Sequence, residues 1–247
     1  MNRETSVFDM MKFLYEAIWK HYLSQIRLNI RNMKKFLILT IAIIMATSTT
    51  VMAGDIKLPA PQRQGGMALS EALDKRQSQR EFDGSRALSP QLLSNLLWSA
   101  AGINRPEEGK RTNPTALNTQ EIDIYVFTPE GVYLYDFKDN SLRIKAEGDH
   151  RALVAGTKAF SQDFVLEAPV SLVLVANVGK FERKNDFNPM MAMADAGIVS
   201  QNINLFCAAN GLATVPRASM DGDGIRALLN LDASFLPALN NPVGYAK

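Results

Sequence analysis

Cysteine and histidine are scarce in this chain: Cys207, His21 and His150 are the full complement among 247 residues. A single cysteine excludes an intramolecular disulfide framework. Its setting, Asn204-Leu205-Phe206-Cys207-Ala208-Ala209, is apolar and helical, which predicts a buried structural thiol rather than a nucleophile. With His150 the one histidine beyond residue 53, a histidine-based zinc centre or a Ser-His-Asp triad has almost no support. No glycine-rich dinucleotide turn follows a predicted strand, and "DGDGIRA" at Asp221 lacks both the spacing and the strand. Internal repeats and low-complexity tracts are also absent. So is a large charge excess: 27 basic against 25 acidic side chains gives +2. Nothing in that balance argues for nucleic acid.

The start of the chain accounts for the basic excess. "MKKFLILTIAIIMATSTTVMAG" begins at Met33 with two lysines, continues as an apolar run from Phe36 to Ala46, and ends in the small-residue pattern Val51-Met52-Ala53. That is the order of a secretory signal. The competing reading is a membrane anchor, but the run falls short of the roughly 20 apolar residues a bilayer span needs. Cleavage is preferred, with no stable membrane span left after it. Residues 1–32 read either as an upstream extension ahead of a true start at Met33 or as a long n-region, since "FLYEAIWKHYLSQIRL" suits an amphipathic helix. The expected organisation is residues 1–53 as extension plus signal, and 54–247 as one domain of 194 residues. The first 53 residues hold seven Lys/Arg and three Asp/Glu, so the remainder carries −2. An exported, periplasmic or extracellular protein is expected, or a cytoplasmic one if the signal is not used.

Beyond the leader, helical and extended patterns alternate. A short helix is predicted over Ala68–Lys75, with Leu69, Ala72 and Leu73 as its apolar face. Ser89-Pro90 is a helix start, serine as cap and proline in the first turn, and Gly102 ends that helix. "EIDIYVF", "GVYLYDF" and "LRIKAE", separated by turns, read as an antiparallel meander. One or two helices are expected between His150 and Leu166. "PVSLVLVANV" is apolar throughout and predicts a strand buried on both faces. A long helix over about Pro189–Asn210, closed by Gly211, a short strand "ATVPRAS", a helix "GIRALLNL" and an extended "NPVGYAK" complete the chain. The interleaving without regular βαβ repetition makes this an α+β sandwich.

"RQSQREF" after the first helix puts Arg76, Ser78 and Arg80 at alternate positions, a pattern equally suited to a solvated face and to holding a phosphate. Taken with "LLWSAAGINRPEEGKRTNPTALNTQEIDIYV", "DAGIVSQNINLFCAANGLATV" and the terminal "NPVGYAK", it resembles the nitroreductase family of flavoenzymes. More narrowly, it resembles the short bacterial, SagB-type subgroup related to the peptide-thiazoline oxidases. The resemblance spans about Leu69 to Lys247. It implies a homodimeric α/β sandwich with a central, mostly antiparallel sheet flanked by helices, and FMN as cofactor.

The resemblance also implies site residues. Arg76 and Ser78 fall at the FMN phosphate and Arg80 at the flavin N1/O2 edge. Arginine forks suit a dianionic phosphate, and a fixed cation favours the reduced flavin. Pro114, Thr115, Ala116 and Asn118 match a loop reaching the flavin from the second subunit. Pro216, Arg217, Ala218 and Ser219 match the segment along the flavin near N5. Arg217 departs from the smaller residue usual there, and either points away or reaches a substrate carboxylate or phosphate. Lys247 is the candidate C-terminal cation for the FMN phosphate. Asp195, Gln201, Asn202 and Asn204 are expected to make helix–helix hydrogen bonds, while Asn104, Arg105 and Arg111 either select substrate or lie on ordinary surface.

The implied activity is an FMN-dependent oxidoreductase moving two electrons by a ping-pong cycle from a small-molecule donor to a nitroaromatic or quinone-type acceptor. No protein acid or base is required, and no metal. NAD(P)H is the usual donor, which conflicts with export. A different donor, or oxidation of an extracytoplasmic small molecule or peptide, is the alternative; so is a flavin-binding module with little turnover. If the signal is used, N-terminal sequencing of protein from the envelope fraction should begin at Gly54. A cytosolic product starting at Met1 or Met33 would remove the export expectation.

Overall fold

The computed structural model describes residues 4–46 and 54–247, in two units, Met1–Val51 and Met52–Lys247. The expected cleavage pattern at Val51-Met52-Ala53 lies outside the described residues. In the first unit the amphipathic segment and the start of the apolar run form one helix, α1 (Glu4–Ala46), along which Tyr15, Trp19 and Tyr22 stack. Among the described residues no helix is long and apolar enough to cross a membrane.

The second unit begins with a two-residue strand, β1 (Ile56–Lys57), and a short helix, α2 (Leu69–Lys75). Then come α3 (Pro90–Ala101) and a hairpin of β2 (Ile103–Arg105) and β3 (Lys110–Arg111). The meander is β4 (Ile122–Phe127), β5 (Gly131–Asp136) and β6 (Ser141–Glu147). It is followed by α4 (Arg151–Ala155) and a second small hairpin, β7 (Gly156–Thr157) and β8 (Phe160–Ser161). Strand β9 (Val170–Asn177), helix α5 (Asn188–Ala209), strand β10 (Leu212–Thr214), helix α6 (Gly222–Leu229) and strand β11 (Phe235–Tyr245) finish the fold.

Seven strands form one sheet in the order β1-β6-β5-β4-β9-β11-β10, antiparallel at every pairing. The all-apolar strand is β9, and its period of two explains the layering. Leu172, Leu174 and Ala176 enter one core with Leu96, Leu97 and Ala100 of α3 and Ala192, Ala196, Val199 and Ile203 of α5. Val173 and Val175 enter the other with Val154 of α4 and Ile225 of α6. An α+β sandwich is what this is.

Local chemistry sets the element ends. The Ser89 side chain accepts the Leu92 N–H at 3.2 Å, with Pro90 in the first turn of α3. Gly211, at φ 66°, turns the chain from α5 into β10, and Leu212–Thr214 pair at once with Val243–Tyr245. Helix α2 departs from expectation: Ala72 is buried, but Leu69 and Leu73 are 65% and 52% exposed. Its predicted apolar face is mostly uncovered in the single chain.

The cap and the central strand should separate in urea unfolding. Ser89→Ala should cost about 1 kcal/mol, the usual worth of a serine cap. Leu174→Ala empties a fully buried site and should cost about 2–5 kcal/mol. A smaller loss at Leu174 than at Ser89 would contradict the assignment of β9 as the centre of the fold.

Candidate functional site

Helix α2 ends where the basic segment begins. Arg76 caps it in extended conformation (φ −63°, ψ 120°), and the chain stays extended beyond it. The Gln79 N–H donates to Thr214 O at 2.9 Å, Phe82 bridges Ala246, and the Asp83 N–H donates to Tyr245 O at 2.9 Å. Residues 79–83 are thus stitched along β10 and the end of β11. Fully buried Phe82 pins them in a small core with Ala168 and Ala213. The same stitching brings Lys247 alongside, its N–H 3.4 Å from Glu81 O.

The charges are unevenly matched here. Neither Arg76 nor Arg80 enters an ion pair among the described residues. Lys247 Nζ donates to Glu167 at 3.0 Å, which raises its pKa. Arg76 and Gln79 line an open cleft of about 410 Å³ with Asn204 and Cys207 of α5, Thr214 and Ala246. Cys207 itself is wholly buried, and burial pushes its thiol up, away from reactivity.

Residues 216–219 alternate in a useful way. Pro216, Ala218 and Ser219 are exposed, whereas Arg217 is 7% exposed and turns inward. Its backbone exchanges hydrogen bonds with Asn240 at 2.8 and 2.7 Å. Its guanidinium donates to Val154 O and Ala155 O, each at 3.0 Å, to Gln162 Oε1 at 2.8 Å and to Asn240 Oδ1 at 2.7 Å. Those partners bracket the β7–β8 hairpin on both sides. Burial holds the Arg217 pKa below the ordinary arginine value, and the neighbouring Arg80 cation lowers it further. Of the two sequence alternatives, pointing away is therefore the one realised. Among the described residues the Ala218 and Ser219 N–H groups have no protein acceptor, while that of Arg217 is already used.

The Pro114–Asn118 loop lies elsewhere. The Ala116 N–H donates to Asp195 Oδ2 of α5 at 2.7 Å. Leu117, Asn118 and Gln120 are left-handed at φ 55°, 56° and 50°, and Leu117 is 85% exposed. Nine residues of α5 separate Asp195 from Asn204 at the Arg76 cleft, about 13 Å of helix. Within one chain, the two halves of the expected site sit at different positions along α5.

Three residues that shape this region had no part in the site expected from the sequence. Asp195 was expected to bond another helix, and instead holds a loop amide. Glu121, fully buried, carries a carboxyl that burial pushes up to about 7, with Asp195 beside it contributing to the rise. Gln162 clamps Arg217. A lone acid in the apolar run "MAMADAGIVS" was the available signal for the first. Asn202 does bond between helices, to Ala100 O of α3 at 3.2 Å. Asn204 bonds instead to Asn241 of β11 at 3.0 Å. Arg105 donates to Arg111 O, and Arg111 stacks 3.6 Å over Phe137 beside a second cleft of about 500 Å³.

The nitroreductase family model matches residues 73–245. The chain belongs to the nitroreductase family. A crystal structure from Ralstonia eutropha JMP134, described as a nitroreductase, is 35% identical, covering 80% of this chain and 91% of that one at a TM-score of 0.73. Two more distant structures share the fold. A Clostridium acetobutylicum protein described as an NADH oxidase is 19% identical, with 71% and 87% coverage and a TM-score of 0.51. A chain of the Escherichia coli microcin synthetase McbBCD, solved with truncated pro-MccB17, is 18% identical, with 76% of each chain covered and a TM-score of 0.58. No curated protein matches this sequence. As a nitroreductase-family member the chain is an oxidoreductase of a typically flavin-dependent, NAD(P)H-using family.

The inward turn of Arg217 gives a stability prediction. Arg217→Met should orphan the Val154 and Ala155 carbonyls, and each buried acceptor left unpaired costs about 1–3 kcal/mol. Urea unfolding should show a loss of at least about 2 kcal/mol, whereas Arg76→Met, at a half-buried side chain with no hydrogen bond or ion pair among the described residues, should change little. Equal, small effects would mean that the Arg217 clamp contributes nothing to the fold.

Proposed function

We propose that this nitroreductase-family chain is an FMN-dependent oxidoreductase of the thiazoline-oxidase-related subgroup, acting as an exported homodimer. The observation that carries the cofactor reading is charge without a counter-charge. Among the described residues Arg76 and Arg80 have no acidic partner, and Arg80 stands near the buried Arg217 cation. Such a cluster favours a bound anion, and the dianionic phosphate with the flavin N1/O2 edge supplies that charge.

The rest of the fit follows from the alternation at 216–219. Because Arg217 faces inward, Pro216, Ala218 and Ser219 present a small surface that a planar ring can approach. The free N–H of Ala218 or Ser219 is the donor suited to orient N5, in place of that of Arg217. Arg76 and Ser78 hold the phosphate end, with Lys247 joining them if it exchanges Glu167 for the phosphate. Arg80 stabilises negative charge at the pyrimidine edge. When bound, FMN supplies two-electron transfer, taking hydride from a donor such as NAD(P)H and passing it to a nitroaromatic or quinone-type acceptor in a ping-pong sequence. The protein's part is binding, orientation and electrostatics.

The dimer reading rests on exposed apolar surface and on the divided site. Phe187 and Met190 at the start of α5 are 65% and 61% exposed, with Leu117, Leu69 and Leu73 also uncovered. A second copy covering α5 would bury these side chains and carry its Pro114–Asn118 loop toward the Arg76–Arg80 segment.

Arg76 and Arg80 should fail differently. Arg76→Ala removes a phosphate partner, and truncating one member of a desolvated charge pair costs about 2–5 kcal/mol. FMN affinity should then drop by one to several decades, with the potential of bound flavin little changed. Arg80→Ala should lower the midpoint potential and slow flavin reduction, with a smaller loss of oxidised-FMN affinity. Fluorescence titration and dye-coupled reduction measure both. Equal or absent effects would return "RQSQREF" to an ordinary solvated charge cluster.

A further inference from the structure

Glu121 is the least expected side chain in the fold. It is an acid with no exposed surface at the start of the sheet, and neither carboxylate oxygen has a hydrogen-bond donor. An ionised carboxylate so placed is costly. Its neighbour on α5 is another carboxyl, Asp195, 6% exposed and close enough to contribute to the rise in the Glu121 pKa. Two facing carboxyls attract only when one is protonated. A protonated Glu121 carries no charge and has an O–H to offer Asp195.

Asp195 is also the anchor of the loop. Its Oδ2 takes the Ala116 N–H at 2.7 Å, at the head of a segment containing three left-handed non-glycine residues. Left-handed backbone at such residues is unfavourable, so the conformation must be held from outside. Other hydrogen bonds act within the loop and to neighbouring segments. Gln120 N–H donates to Thr115 Oγ1 at 2.9 Å, Thr119 Oγ1 donates to Ala116 O at 2.8 Å, and Lys180 Nζ donates to Gln120 O at 3.2 Å. Gln120 Nε2 also donates to Gly109 O at 3.0 Å, and the Asn118 and Thr119 N–H groups donate to Thr115 O and Ala116 O at 3.0 and 3.1 Å. Asp195 is the tie to α5.

We propose that Glu121 and Asp195 share one proton, and that this proton positions the Ala116–Gln120 loop. With the proton in place, the pair is neutral at one member, and Asp195 holds Ala116. Without it, two like charges face each other in a buried site, and separating them moves either the loop or the start of β4. The other charged groups facing Glu121 are Lys180, which follows β9, and Arg111 of β3. Both favour the ionised form, but Lys180 is engaged with Gln120 O and Asp123, and Arg111 with Ile122 O and the face of Phe137.

The sign follows from the proton count. Burial raises the Glu121 carboxyl to about 7 from 4.5. The folded protein therefore binds a proton that the unfolded chain has lost, and the stabilisation fades as pH rises from about 4.5 through about 7. The loop should be held at mildly acidic pH and released on the alkaline side of neutrality. If the loop reaches a partner's flavin, as the reading above has it, FMN binding should weaken over the same range.

A tryptophan at exposed Leu117 reports the loop by difference from the unsubstituted chain, whose own tryptophans are Trp19 and Trp98. In Leu117→Trp protein, fluorescence anisotropy should fall through one transition between about pH 6 and 8. In Leu117→Trp/Glu121→Gln, whose amide still donates to Asp195 but does not titrate, it should stay high and flat. A transition that survives Glu121→Gln, or none in the parent, overturns the proposal. FMN titrations on the same two proteins separate the flavin reading from the proton pair. The parent should lose about tenfold or more in affinity on the alkaline side relative to Glu121→Gln, a comparison that cancels the phosphate's own ionisation near pH 6. A moving loop with identical FMN profiles would keep the shared proton and sink the loop's role at the flavin. If the double variant does not fold, the carboxyl ¹³C resonance of Glu121 in the unmodified protein decides. A midpoint near neutrality supports the pair, and one in the ordinary carboxylate range overturns it.

Discussion

Strand β9 has seven consecutive buried residues, Val170 to Ala176, and no side that water can reach. A strand of that kind must be paired on both edges and covered on both faces, and the rest of the domain answers that requirement. β4 and β11 pair with its edges. Helices α3 and α5 cover one face, and α4 and α6 the other. The site is a by-product of this arrangement. β11 must run the full length of β9, so its end and β10 stand at the sheet margin, where residues 79–83 attach. A cation-rich segment is thereby held in extended form without a strand of its own.

The buried polar groups fall into two kinds. Arg217 is buried and satisfied: its guanidinium meets two carbonyls and two side-chain amides. That makes it a structural clamp between β11 and the β7–β8 hairpin, and it leaves the small residues on either side facing outward. The Glu121–Asp195 pair is buried and satisfied only with a proton. The first kind fixes geometry at all pH values near neutrality. The second makes geometry conditional. Both act on segments that the functional reading sets against the flavin, so polar burial in this fold is concentrated where position matters.

Helix α5 connects the two. It is apolar on the side facing the sheet and carries uncovered apolar residues elsewhere, Phe187 and Met190 among them. Near its start it anchors the Ala116 loop through Asp195. Toward its end it bounds the Arg76 cleft through Asn204 and Cys207. One rigid rod thus sets the spacing, about 13 Å along its axis, between the Ala116 loop and the Arg76 cleft.

Much of this was legible in the amino-acid order, because it depends on local pattern. The all-apolar "VSLVLVA" marks a central strand, the alternating "IDIYVF" and "VYLYD" mark successive strands of a meander, and Ser89-Pro90 and Gly211 carry their turn chemistry in themselves. The basic "RQSQR" segment was likewise visible as a candidate anion site. What the order could not say is where side chains point once strands from distant parts of the chain meet. Arg217 looked like a possible substrate contact until Asn240, twenty-three residues later, turned it inward. Leu69 and Leu73 had the spacing of a core face and are exposed, because among the described residues of the second unit nothing covers that side of α2. Glu121 and Asp195 lie far apart in sequence and read separately as a strand-edge acid and a helix polar residue. Only the packing of α5 across the start of β4 brings them together and takes away their water, and desolvation is a property of neighbours in space rather than in sequence.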